Sequence, residues 1–244
     1  AAESHVDKSI KLPKNIILNN ITSTTNLLIS SQKYFDTLND QNKKIFRFLQ
    51  ISTDEVYGAL KLNDKPFVET DNYFPSSPYS ASKASSDHIV QSFYKTYGLP
   101  TLLTNCSNNY GPFQNTEKLI PTVIIRAFNK KKIPVYGNGN QIRDWLHVHD
   151  HCDAIMAVIK KGIIGSNYNI GSNNEIANID LVKLILELIN KKNKKSNFDY
   201  LNLINFVKDR LGHDFRYAID NSKIFKEIAW KPKIKFSTGI KKTV

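Results

Sequence analysis

Apolar positions along the chain recur at two different periods, and the alternation between them sets the architecture. Pro13 suits a first helical turn, and Ile16, Ile17, Asn20, Thr24, Leu27 and Leu28 recur behind it at helical spacing. The run Phe46-Arg47-Phe48-Leu49-Gln50-Ile51 reads instead as a buried strand over 46–52. A polar loop leads to Pro78, and a second long helix is predicted over about 79–97. Gly98-Leu99-Pro100 ends it, as a glycine cap followed by a residue that cannot continue a helix. Thr101-Leu102-Leu103-Thr104 is a short buried strand. Helix, strand, helix, strand in that order predict an α/β chain with a parallel sheet under covering helices.

Beyond Pro112 the rhythm loosens. A helix over 118–129, a strand at Ile133-Pro134-Val135-Tyr136 and a Gly137-Asn138-Gly139 turn precede Ile142-Arg143-Asp144-Trp145-Leu146. A helix over 150–161, a strand at Tyr168-Asn169-Ile170, a helix over 179–190, a strand from Phe215 to Ile219 and a short helix from Asn221 follow. There is no internal repeat. This half reads as a smaller lobe that shapes a substrate site.

Composition narrows the class. The 244 residues are 41% hydrophobic and 23% charged, ordinary for a globular protein. No apolar run approaches the roughly 18 residues of a membrane span, and the opening residues do not read as a signal peptide. Cys106 and Cys152 make no disulfide framework, so a soluble cytoplasmic protein is expected. The net charge of +12 raises nucleic-acid binding, yet the excess is 29 lysines against 5 arginines. Most lysines lie in scattered pairs. The denser runs, Lys130-Lys131-Lys132 and Lys191-Lys192-Asn193-Lys194-Lys195, fall where helices end and cations suit the dipole. Arginine, the better reader of bases and phosphates, is scarce. A solvated surface is the expectation, with no nucleic-acid and no membrane partner.

Two groupings carry chemistry. Thr53, Asp54 and Glu55 stand in a row at the end of the 46–52 strand, before a turn at Gly58. Adjacent acids repel, and proximity favours a protonated and an ionised partner. Successive strand residues face opposite ways, so the chain must bend after Thr53 for both acids to serve one site. Tyr79 and Lys83 are four residues apart on a predicted helix and share a face. A cation beside a phenol favours phenolate and makes the tyrosine a usable base. By contrast, His147, His149 and His151 with Cys152 and Asp153 lack the spacing of a zinc site, and the helix from about 150 breaks their shared face; no metal is expected.

Thr53-Asp54-Glu55 with Tyr79-x-x-x-Lys83 resembles the extended short-chain dehydrogenases that modify nucleotide sugars, and within them the dTDP-glucose 4,6-dehydratase family. "AAESHVDKS", "ISTDEVYG", "SSPYSASKASSDH", "YGLPTLLTNCSNNYGP", "PVYGNGNQIRDWLHV", "YNIG" and "DRLGHD" extend the likeness over nearly the whole chain. It implies a Rossmann-type parallel sheet, N-terminally incomplete, with a smaller C-terminal α/β substrate lobe. Residues 1–116 would be the remainder of the NAD-binding domain, with 142–172 returning to it, and 117–244 mainly the nucleotide-sugar lobe. The implied reaction turns dTDP-glucose into dTDP-4-dehydro-6-deoxyglucose, on the route to dTDP-rhamnose and other deoxysugars. NAD is the implied cofactor and a homodimer the implied assembly.

The same resemblance distributes roles. Tyr79 would be the base for the 4-hydroxyl, Thr53 its hydrogen-bonding neighbour at C4, Glu55 the base for the C5 proton and Asp54 the acid for the departing C6 oxygen. Lys83, Ala1, Ala2, Glu3, Ser4 and Asn109 would meet the cofactor, as would Tyr79. Ser4, Asn108, Lys118, Leu119, Pro134, Val135 and Tyr136 would meet the substrate. Arg143 and Arg210 would take its diphosphate; Asn178, Asp209 and His213 its nucleotide end. The Asn108–Pro112 stretch also reads as a plain turn.

His149 stands where the family pattern has an acid. The larger departure is the absence of any G-x-G-x-x-G or G-x-x-G-x-x-G turn, and of an acid at a second strand for the adenosine ribose. Both ends are expected to be cut, and poor NAD binding follows. A non-catalytic remnant that assembles with a partner is therefore a second reading, and another nucleotide-sugar epimerase or decarboxylase a third, against which the Asp54-Glu55 pair counts.

Overall fold

A computed structural model of the protein describes residues 2–193 and 198–244, so the expectations for Ala1, Lys194 and Lys195 lie outside the described residues. The chain opens differently from the loop its first nine residues suggest. Helix α1 (Val6–Lys11) starts behind His5, whose ring accepts the Lys8 amide, and carries Asp7 in its first turn and Lys8 and Lys11 in its last. Helix α2 (Pro13–Thr37) follows with Pro13 in its first turn, and then a short α3 (Asp40–Ile45) capped by Asn39. Strand β1 (Phe48–Thr53) begins two residues later than its apolar run, because Phe46 caps α3 and packs on Phe35.

The catalytic-looking triplet ends β1 in a 3-10 turn, Asp54–Tyr57. Helix α4 (Pro78–Tyr97) opens with a capping box between Ser77 and Ser80 and closes on Gly98 at φ 69°. Strands β2 (Thr101–Cys106) and β3 (Asn108–Tyr110) follow, so the Asn108–Tyr110 part of the stretch that also read as a turn is a strand. The rest runs α5 (Leu119–Phe128), β4 (Ile133–Tyr136), β5 (Ile142–His147), α6 (Val148–Lys161), β6 (Asn167–Ile170), β7 (Glu175–Ala177), α7 (Asn178–Lys192), β8 (Ile204–Val207), α8 (Ser222–Ile228) and α9 (Phe236–Thr243).

This is an α/β fold with a parallel sheet. The order β1-β2-β6 sets Thr53 opposite Cys106 and Cys106 opposite Ile170, so the carboxyl ends of three strands share one edge. Ligands gather at that edge in open α/β sheets. A second sheet joins β3 to β5 in parallel and β5 to β7 antiparallel, and β4 pairs with β8. The sheets rest on separate apolar clusters: Leu28, Phe48, Val90 and Leu99 between α2, β1 and α4; Leu102, Leu146, Val158, Ile170 and Ile224 behind the first sheet; and Ile120, Val123, Ile133, Leu181, Ile185 and Leu203 in the later lobe.

One expected strand is absent as such. Residues 215–219 make single bridges, Arg216 to Leu60 and Ile142, and Ile219 to Phe67. The segment threads between β5 and the loop after β1, where Arg216 is held by Glu175 at 2.5 Å and by the Lys61 and Asp64 carbonyls. Divided between two neighbours, it builds no ladder with either. Among the described residues no helix is long and apolar enough to cross a membrane.

Candidate active site

The bend expected after Thr53 is the 3-10 turn itself. Thr53 is its N-cap, its hydroxyl accepting the Glu55 amide at 3.3 Å, and Gly58 closes it at φ 89°. Asn105 on β2 fixes the Thr53 carbonyl from the neighbouring strand at 3.2 Å. A side chain at position 58 would collide with the Phe74 carbonyl as well as meet an unfavourable φ. Gly58→Ala is therefore expected to lower stability by about 2–3 kcal/mol, read from denaturant unfolding.

Behind the turn the groups are dry. Asp54 is 3% exposed, its Oδ1 accepting from Thr53 at 3.4 Å while Oδ2 has no partner. Burial first, and Glu55 next, push the Asp54 carboxyl well above its usual range. Glu55 is also raised by burial, but Arg143 and Lys118 pull it back. Two adjacent acids thus sit in unequal fields, Asp54 the more strongly biased toward the protonated form.

Tyr79 and Lys83 share the buried face of α4, though not in the expected way. Lys83 donates to the Ile51 carbonyl at 2.7 Å, and burial lowers its pKa. Burial also drives the Tyr79 phenol well above 10, with Glu55 adding to the shift, so the surroundings outweigh the cation one turn away. Asp87, a further turn along, accepts from Ser52 at 2.6 Å and is pushed up to about 7 by burial.

A cavity of about 300 Å³ opens beside the turn. Glu55 stands on its wall with Ser4, Asn108, Lys118, Leu119, Pro134, Val135, Tyr136, Arg143, Asn178, Arg210 and His213, so most of the expected substrate positions meet here. Lys118 donates to the Ser4 carbonyl and hydroxyl at 2.9 and 3.2 Å. Arg143 gives N–H groups to the Ile142, Asp214 and Phe215 carbonyls and lies 4.2 Å over the Tyr217 ring. Asp209 is off the wall; it orients His213 at 2.7 Å and accepts from Gln141. Thr53, Asp54, Tyr79, Lys83 and Asn109 are likewise off this wall. Ala2 is exposed, and Glu3 is clasped through its backbone by Asn20 of α2, itself bonded to Ser82.

Several lining residues escaped the sequence reading, among them Tyr217, Asp214 and Asp7. Tyr217 donates to Asp214 and supports Arg143, and Asp7 pairs with Arg210. Asp7 and Arg210 lie far apart in the chain, and Asp214 and Tyr217 fall outside any helix or strand, so no local pattern marks them. Among the described residues no group of three or more His, Cys, Asp or Glu could hold a metal ion.

Residues 1–243 match the family model described as GDP-mannose 4,6 dehydratase. The chain is 53% identical over 252 residues to the dTDP-glucose 4,6-dehydratase of Shigella flexneri, covering 100% of this chain and 70% of that protein. It belongs to the dTDP-glucose 4,6-dehydratase family.

Solved dTDP-glucose 4,6-dehydratases agree in fold. DesIV from Streptomyces venezuelae, crystallised with NAD, superposes with a TM-score of 0.88 at 35% identity over 100% of this chain and 70% of its own. The Bacillus anthracis enzyme in complex with NAD gives 0.83 at 43% identity, over 100% of this chain and 69% of its own.

Proposed function

We propose that the protein dehydrates dTDP-glucose to dTDP-4-dehydro-6-deoxyglucose with NAD as cofactor. The observation that carries the reading is the unequal pair Asp54 and Glu55, displayed by one 3-10 turn beside a cavity lined with Lys118, Arg143 and Arg210. Water elimination needs one ionised and one protonated acid close to the same sugar, and cations suit the diphosphate that carries it.

The surroundings fit the nicotinamide end of NAD. Ser107 Oγ and Asn109 Oδ1, at the carboxyl edge of β2 and on β3, are buried without partners, and the Lys83 ammonium lies behind that edge. Lys83, Asn109 and the backbone of residues 2–4 would hold the cofactor, which when bound would accept a hydride from C4 and return it to C6. The chain has no glycine-rich phosphate turn, so fewer of its own groups serve the adenosine end.

Within this reading Tyr79 removes the 4-hydroxyl proton and Thr53 hydrogen-bonds the C4 oxygen. Glu55 takes the C5 proton, and Asp54 delivers one to the oxygen leaving C6. Arg143, already braced by three carbonyls and Tyr217, needs little reorganisation to receive a phosphate. Residues 1–116 with 142–172 form the cofactor part of this proposal and 117–244 mainly the sugar part. Homodimerisation through α2 and α4 is supported by exposed Leu18, Leu27, Tyr94 and Tyr97.

The test is incubation of the chain with dTDP-glucose and NAD, following the sugar nucleotide by mass spectrometry. Loss of one water is the expected result. Absence of that loss, even when the N-terminal segment of a family member is supplied in trans, would sink the proposal. The edge position of β1, with Ile51 exposed, favours one other reading, a chain that completes its sheet with a partner's strand; dehydration appearing only in trans would show that the activity needs such assembly.

A further inference from the structure

The Asp7 carboxylate stands on the wall of the cavity beside Arg210, with which it pairs. It lies in the first turn of α1, far in sequence from the groups it meets. Arg210 Nε stands 2.5 Å from Asp7 Oδ1, and Arg210 Nη2 donates to Oδ2 at 3.2 Å. The Tyr136 hydroxyl reaches the same Oδ2 at 3.3 Å, and the Arg210 guanidinium lies 5.0 Å over the Tyr136 ring. All three side chains line the cavity that holds Glu55 and Arg143. The surrounding segment is tied to the same wall twice more, by Lys8 to Glu117 at 3.3 Å and by Lys118 to Ser4.

We infer that Asp7 is a positioning residue for the nucleotide-diphosphate site, fixing the Arg210 guanidinium and the Tyr136 phenol across the cavity. This rests on the dTDP-sugar reading above and adds to it a residue that touches no substrate. A guanidinium carries five N–H donors. Asp7 accepts one hydrogen of Nη2 and pairs electrostatically with the buried Nε, so among the described residues the other Nη2 hydrogen and the two of Nη1 remain for a phosphate. A free arginine loses rotamer entropy when an anion orders it, and a carboxylate that has already ordered it removes much of that cost.

The opposite sign is also conceivable on chemical grounds, since a carboxylate competes with phosphate for the same fork. Geometry decides against competition: Asp7 Oδ2 accepts from both Nη2 and the phenol, so Tyr136 is positioned by the same carboxylate, and among the described residues Nη1 makes no hydrogen bond. Both partners of the ion pair are partly exposed, so the pair itself adds little to global stability. Its value is realised on binding.

The test is calorimetric titration of dTDP into the wild-type chain, Asp7→Asn, Asp7→Glu, Arg210→Lys and Asp7→Asn/Arg210→Lys. Asp7→Asn is expected to weaken dTDP roughly tenfold, a difference of about 1.4 kcal/mol, while its melting temperature stays close to wild type. Asp7→Glu should recover part of the loss. The double variant should bind no worse than Arg210→Lys alone, because the aspartate acts through the arginine. Equal or tighter binding by Asp7→Asn, or strict additivity in the double variant, overturns the inference. A wild-type chain that binds no dTDP overturns the dTDP-sugar reading instead, and the inference with it.

Discussion

Tyr79→Phe is expected to leave dTDP-glucose bound and unconverted. The substitution removes one oxygen from a phenol buried on α4, and among the described residues no hydrogen bond depends on that oxygen, so the fold should tolerate it. General-base contributions run to about 10²–10⁴ in rate, and here the loss is expected near the upper end. Single-turnover dehydration, followed as loss of one water, should fall on the order of a thousandfold, with dTDP affinity changed by less than about threefold. Since burial and Glu55 hold the phenol above 10, the wild-type rate should rise with pH through the neutral range as phenolate becomes more available. Tyr79→Phe should lose that slope. A variant that retains the wild-type rate would remove Tyr79 from the chemistry.

The second large effect is expected at Glu55. Glu55→Gln keeps the shape of the side chain and removes the base, so exchange of the C5 hydrogen with deuterated solvent should drop by at least about a hundredfold. The pH behaviour follows from the two directions of shift. Elimination requires Glu55 ionised and Asp54 protonated. Activity is lost on the acid side as Glu55 takes up its proton, and on the alkaline side as Asp54 releases one. Asp54 is pushed further than Glu55, which keeps a window open between the two limbs. Asp54→Asn should therefore abolish the alkaline limb along with most of the elimination. Undiminished C5 exchange in Glu55→Gln would reassign the base, and a profile without an acid limb in the wild type would remove the division of labour.

Much of the fold was legible in the residues. The period of the apolar positions places the start of α2, and α4, α5, β4 and β6 to within a residue or two, because each buries an apolar face and local pattern suffices. Cap chemistry locates the end of α4 at Gly98. The failures share a different cause. Residues 215–219 look like a strand by composition, but their hydrogen-bonding partners are divided between β5 and the loop after β1. Residues 6–11 look like loop, and the helix there rests on His5 and on ties to Glu117 and Arg210.

The candidate site divides along the same line. The amino-acid order alone determined that a hydroxyl and two acids end a strand, that a tyrosine and a lysine share a helical face, and that the whole resembles one family. These are relations over a few residues, governed by backbone geometry. Tertiary structure alone decided that the two acids are unequally buried and that Lys83 spends its proton donor on Ile51. It also decided that Asp7 and Arg210, 203 positions apart, meet across one cavity. Desolvation and long-range pairing depend on which distant segments exclude water from a group, and no local spacing encodes that.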